Sequence, residues 1–321
     1  DAFDVLVSLL LRAKARTVRS WALAMLRKDH AAKLAALEWD SVRTMLLSRD
    51  PDLFALGAEL LPTAAAAPAL PISEWLLLMG QEDLDVLTVV CAEMRRHVTP
   101  DRLDLAACVA LACAPAAPMA LLGIAWAKTK RVDTTRDIDT ILGLKDARVA
   151  NVRREGAAWV ALIALESANA RPEHVRDLCD ASFADARTEG LRALEQGERY
   201  RTNLALWFAL AESPYDDVRA LVLREATRWQ EGASPETLRH LWATSLLAVH
   251  RGGPQKRRVP LAIVHRIEQH PDEADRLLPL LGLSLRSVRP PERAAAMGAL
   301  ARTVIRAPAL RERVQTLLPE I

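Results

Sequence analysis

Apolar residues recur along this chain at i, i+3, i+4 and i+7 in short bursts, separated by breaks rich in Pro and Asp. That period is the mark of amphipathic α-helices. Eight bursts read as helices: Asp40 to Leu47, Ile72 to Met79, Leu103 to Cys113, Arg136 to Leu144, Pro172 to Asp180, Thr202 to Ala211, Pro235 to His250 and Glu273 to Leu285. In the burst from Pro235, Leu238, Leu241, Trp242, Ser245 and Leu246 share one face. The breaks fall at Asp50-Pro51, Pro71, Thr99-Pro100, Pro214, Ser234-Pro235, Pro271, Pro290-Pro291 and Pro308. Ser234 ahead of Pro235 has the form of an N-cap with Pro at the first helical position. No alternating apolar and polar pattern persists, so strands are not expected.

A second set of helices lies between these, and it recurs at a near-constant interval. The first buried positions of these helices are Val18, Leu53, Val86, Pro118, Val152, Ala186 and Val218, at spacings of 35, 33, 32, 34, 34 and 32 residues. Two weaker copies follow at Arg257 and Glu292. A single helix pair cannot bury its own apolar face, whereas stacked neighbours can. The expectation is an all-α chain of about nine stacked helix pairs, the first incomplete, forming one domain over residues 1–321.

Residues at these positions resemble a known family. HEAT repeats carry an Asp in the turn and a Val-Arg step at the start of the second helix. Asp216-Asp217-Val218-Arg219 matches that pattern closely, and Asp185-Ala186-Arg187 is a looser copy. Val18-Arg19 and Val152-Arg153 keep the Val-Arg step, and Arg258 and Arg293 fall at the same slot. Leu87 and Met119 occupy it in the third and fourth repeats, a departure from the pattern. The resemblance implies a right-handed α-solenoid, HEAT-like and related to armadillo folds. It further implies that Arg19, Arg153, Arg187, Arg219, Arg258 and Arg293 form a ladder to Asp side chains and carbonyls of neighbouring repeats. The alternative role for these arginines is a concave face gripping phosphates or carboxylates bidentately.

Composition sharpens the class. Lys plus Arg is 43 and Asp plus Glu is 41, evenly spread over both halves. A general nucleic-acid binder carries a basic excess, because phosphate neutralisation supplies much of its affinity. Local basic clusters remain: Arg27-Lys28, Arg95-Arg96 and Lys128, Lys130 and Arg131 close second helices, and Arg251, Lys256, Arg257 and Arg258 populate a Gly-Gly loop at the longest inter-repeat spacing. Loops on rigid scaffolds often carry binding residues, while basic groups at helix C-termini are also favoured by the macrodipole alone.

Trp21, Trp126 and Trp159 fall on or near the buried stripe and read as core; Trp39, Trp229 and Trp242 are candidate surface anchors. The four cysteines, Cys91, Cys108, Cys113 and Cys179, lie in apolar helical stretches without CxxC spacing and read as buried thiols rather than metal ligands. Glycine-rich phosphate loops, a GxSxG elbow and HExxH are all missing from the sequence. Glu93, Glu155, Glu189 and Glu225 lie on second helices but are not spaced for acid–base work. No cofactor or metal is expected. With no apolar run long enough to span a bilayer, a cytoplasmic protein is expected. The chain starts at Asp1 without an initiator Met, which reads as a trimmed product or a piece of a longer protein. A non-catalytic scaffold for a protein partner is the leading expectation. The alternative is a nucleic-acid-binding solenoid resembling alkylpurine DNA glycosylases, whose catalytic positions find no match here.

Overall fold

The computed structural model describes residues 1–228, 234–247 and 256–317. Among them are 21 α-helices, short 3-10 turns and no strand. The residues divide into two compact units.

The first unit comprises Asp1–Val132 and Asp146–Gly156. It holds α1 (Ala2–Arg12), α2 (Arg16–Asp29), α3 (Ala31–Ala35), α4 (Trp39–Leu46), α5 (Pro51–Leu60), α6 (Ile72–Leu78), α7 (Leu84–His97), α8 (Leu105–Ala112) and α9 (Ala117–Ala127). Sequential neighbours pair as α1 with α2, α4 with α5, α6 with α7 and α8 with α9, and the second helices α5, α7 and α9 pack in succession. The second unit comprises Asp133–Lys145 and Ala157–Ile321. Its helices are α10 (Thr135–Leu142), the C-terminal part of α11 (Ala150–Glu166), α12 (Pro172–Cys179), α13 (Ala184–Gln196), α14 (Glu198–Arg201), α15 (Leu204–Ala211), α16 (Asp216–Arg228), α17 (Pro235–Leu247), α18 (Val259–Gln269), α19 (Ala274–Leu285), α20 (Pro290–Arg306) and α21 (Arg311–Leu317). Here α12 pairs with α13, α15 with α16 and α19 with α20, and the first helices α10, α12, α15, α17 and α19 follow one another in contact.

Local chemistry sets the helix starts. Asp50 and Asp83 accept from the amides two and three residues on, Asp104 and Asn203 from the amide three on, and Ser234 from Thr237 N. These side chains satisfy amides that have no partner within the helix. Pro occupies the first helical position of α5, α12, α17 and α20, where its missing N–H costs nothing. Val18, Leu53, Val86, Val152, Ala186, Val218 and Glu292 are each the third residue of their helix.

Two register expectations fail. Pro118 is the second residue of α9, not the third. Arg257 lies before α18, whose third residue is Leu261, so the step from Val218 is 43 residues rather than the expected 39. Thr202 is not helical with α15, because the preceding turn α14 turns Tyr200 into the core, its hydroxyl donating to the Ala164 carbonyl at 2.5 Å.

Glycine permits the closest helix contacts. A Cβ at Gly57 would lie 2.9 Å from Leu46 N, one at Gly190 2.7 Å from Cys179 N, and one at Gly123 would collide with Ala112 N. Leu46, Ala112 and Cys179 are the last residues of α4, α8 and α12. The same crossing therefore recurs in three pairs.

Candidate functional site

The recurrent arginines come first, because they repeat most regularly. Arg19, Arg153, Arg187, Arg219 and Arg293 are each the fourth residue of their helix. Each turns Nη1 back to the carbonyl six residues earlier: Arg19 to Ala13 at 2.8 Å, Arg153 to Ala147 at 3.0 Å, Arg187 to Ala181 at 2.9 Å, Arg219 to Ser213 and Arg293 to Ser287 at 2.9 Å. These carbonyls lie in the turns leading into the second helices, where no helical amide serves them. Arg19 also reaches Asp50, and Arg187 reaches Asp217 at 2.9 Å, both acids of the next pair. Arg219 instead pairs with Asp216 in its own helix. Arg19 and Arg187 thus form rungs of a ladder to Asp residues of the next pair, while the carbonyl contact is made to each arginine's own turn. Arg258 is not a member: it is the N-cap residue of α18 and makes no such bond among the described residues.

The loop cluster is exposed only in part among the described residues. Arg251 lies outside the described residues, as does Trp229. Lys256 is 4% exposed, with Nζ donating to the Leu246 carbonyl at 3.1 Å. Burial pushes its ammonium below the usual lysine range, partly opposed by Glu292. Lys256 is thus a buried group and not a solvent-facing contact, its ammonium directed at the carbonyl of Leu246 near the end of α17. Arg257 and Arg258 are exposed.

The other basic groups are interleaved with acids. Arg27 pairs with Glu59 at 2.6 Å, Arg96 with Glu93 at 3.2 Å and Lys128 with Glu155 at 2.5 Å, while Lys130 donates to the Pro100 carbonyl at 2.7 Å. Arg95 and Arg131 are exposed at the ends of their segments. Glu189 pairs with Arg192 at 2.7 Å and Glu225 with Arg224 at 3.4 Å. The four second-helix carboxylates thus each face a basic side chain.

Tryptophan burial departs from expectation in two places. Trp21 is 55% exposed, because Ala22 and Leu26 take the buried stripe of α2. Trp242 is fully buried, since it shares the inner face of α17 with Leu238, Leu241 and Ser245. Trp126 is buried, and Trp39 and Trp159 are half-buried. Cys91, Cys108 and Cys179 are buried free thiols and Cys113 is half-buried; burial pushes the Cys91 thiol up to about 11 and Cys179 higher still. Among the described residues, no three His, Cys, Asp or Glu side chains gather as a metal site, and no helix is long and apolar enough to cross a membrane.

One concavity was not foreseen. It is an open cleft of about 860 Å³ in the second unit, between α13, α16 and α18. Its floor is apolar, formed by Leu191, Leu221, Leu223, Val259 and Leu261. Arg192, Arg224 and Arg258 stand around it, one from each helix, with His265 further along α18. Its two carboxylates are engaged already: Glu195 by Arg224 and Asp217 by Arg187. A sequence signal existed in Leu261, a leucine off the buried stripe of α18 and 49% exposed. Isolated exposed leucines are common, however, and only the neighbouring helices turn this one into the wall of a cleft. Compared with protein-family models the chain finds no match, and compared with curated proteins it likewise finds none.

Proposed function

We propose that this chain is a HEAT-like, right-handed α-solenoid forming a single domain and acting as a non-catalytic scaffold for a protein partner. The observation that carries the reading is the repetition of one module. The arginine-to-carbonyl bond across six residues recurs in five helices, and the glycine crossing recurs in three pairs. Modules that contact chiefly their sequence neighbours make a surface that grows with repeat number, and such surfaces hold macromolecules. The cleft between α13, α16 and α18 adds a concave apolar patch with a polar rim, the anatomy of a recognition site.

Nucleic acid is the weaker reading. A backbone-tracking groove needs uncommitted cations, whereas Arg27, Arg96, Lys128, Arg192 and Arg224 each sit against a carboxylate. The test is affinity capture of the tagged chain from its native cell, followed by reconstitution with the purified partner and, in parallel, titration with duplex and single-stranded DNA across a salt series. A reconstituted protein complex that survives nuclease treatment supports the scaffold. Steeply salt-dependent DNA binding with no reconstitutable protein complex overturns it.

A further inference from the structure

The N-terminal helix pair is joined to the rest of the first unit in its own way. Helices α1 and α2 pack closely on each other, as do α4 and α5. Between these two pairs the packing is slight. Helix α1 touches α4 lightly and α2 scarcely touches α5, whereas α5 packs on α7 and α7 on α9. An open cleft of about 340 Å³ lies along α2 and α5 in place of that packing. Its walls are aliphatic, with Leu23 and Ala24 on one side and Leu53, Ala55 and Leu56 on the other.

Three ion pairs join α2 to α5, with every cation on α2 and every carboxylate at or in α5. Arg16 grips Asp52 through two nitrogens, at 2.7 and 3.0 Å. Arg27, about three turns further along α2, meets Glu59 at 2.6 Å. Arg19 reaches Asp50, the N-cap residue of α5, while it also holds the Ala13 and Lys14 carbonyls ahead of α2. The pairs of Arg16 and Arg27 are open to solvent, and the pair of Arg19 is half-buried.

We propose that α1 and α2 form a charge-latched flap: the three ion pairs hold it down on α4 and α5, and screening or removing them lets it lift from the aliphatic cleft while the rest of the unit stays folded. Apolar burial does not weaken with added sodium chloride, but attraction between exposed charges does. The screening length falls from about 30 Å at 0.01 M salt to about 3 Å at 1 M. Exposed ion pairs are individually weak, so a junction that rests on them with little packing behind is the one that yields first. Sparse contact of this kind marks the segments that open locally, below the free energy of global unfolding. The close packing of α1 on α2 makes the two lift together. The latch is a property of this junction and does not depend on what the chain binds.

The test is hydrogen exchange of the full chain, read by mass spectrometry at 0.01 M and 1 M sodium chloride, with α8 and α9 as the internal reference. Amides of α1 and α2 should exchange about tenfold faster at high salt, while those of α8 and α9 change by less than about twofold. At low salt Glu59→Gln should speed exchange in α1 and α2 by about threefold, and Arg27→Glu by more. Combining Arg27→Glu with Glu59→Arg should bring the rates back to within about twofold of wild type and restore the salt response. Glu59→Gln removes one exposed charge and keeps the shape of the side chain, so it decides the matter if Arg27→Glu fails to fold. Exchange of α1 and α2 that ignores salt, equal acceleration of every helix, or a Glu59→Gln variant indistinguishable from wild type would overturn the proposal. So would a double variant that exchanges as fast as Arg27→Glu alone.

Discussion

Gly190 and Gly298 are both helical glycines of the second unit, and the same change to Ala should move stability in opposite directions. At Gly190 in α13 a Cβ would lie 2.7 Å from Cys179 N, 2.8 Å from Leu178 Cβ and 2.9 Å from Leu178 C. Ordinary contact begins near 3.4 Å, so α13 must retreat from α12 by about 0.7 Å (3.4 less 2.7) against backbone that cannot rotate away. Overpacking of this kind costs about 1–3 kcal/mol, and the better helix propensity of Ala returns about 1 kcal/mol. The net loss is about 1–2 kcal/mol, a fall in Tm of roughly 2–8 °C for a unit of this size. At Gly298 in α20 the added Cβ meets nothing within 4 Å and the residue is exposed. Only the propensity and the reduced freedom of the unfolded chain count there, giving a gain of about 0.5–1 kcal/mol. Thermal melts of the full chain followed at 222 nm compare the two variants directly. A Gly190→Ala variant that melts at or above wild type would refute the close crossing, and with it the packing of α12 on α13 described above.

Further outcomes follow from the ion pairs and the ladder. Arg266 and Glu273 form a buried bidentate pair at 2.8 and 2.5 Å; Glu273→Ala leaves the guanidinium buried without that carboxylate and should cost about 3–5 kcal/mol in urea unfolding. Glu268 is held below the usual carboxylate range, chiefly by its hydrogen bonds from Arg302. A carboxyl with a depressed folded pKa contributes stability above its unfolded pKa and loses it as pH falls through the folded one. Glu268→Gln should therefore lower Tm at pH 7, and the difference from wild type should vanish in melts taken well below pH 4. Arg187→Ala removes the contacts to Ala181, Ser182 and Asp217 together; it should destabilise by about 2–4 kcal/mol in chemical unfolding, whereas Arg258→Ala should lie within about 0.5 kcal/mol of wild type.

Helix identity, approximate bounds and the repeat were legible without coordinates, because each rests on information local to about ten residues. The amphipathic period marks the helices, Asp and Pro mark their starts, and seven of the nine anchors fall on the third residue of their helix. The recurrence of the arginine slot was also legible, but its bond to the carbonyl of the arginine's own turn, six residues back, was not. What failed was decided by neighbours distant in the chain. Lys256, in sequence one of a basic cluster, is buried by packing that no spacing reveals. Trp21 and Trp242 exchanged roles because a stripe about 100° wide leaves the outcome to whichever helix lies against it. The cleft is the fullest example: its floor and rim come from α13, α16 and α18, more than 70 residues from end to end. Local periodicity decides which side chains must find cover, and only tertiary packing decides which of them are left without it.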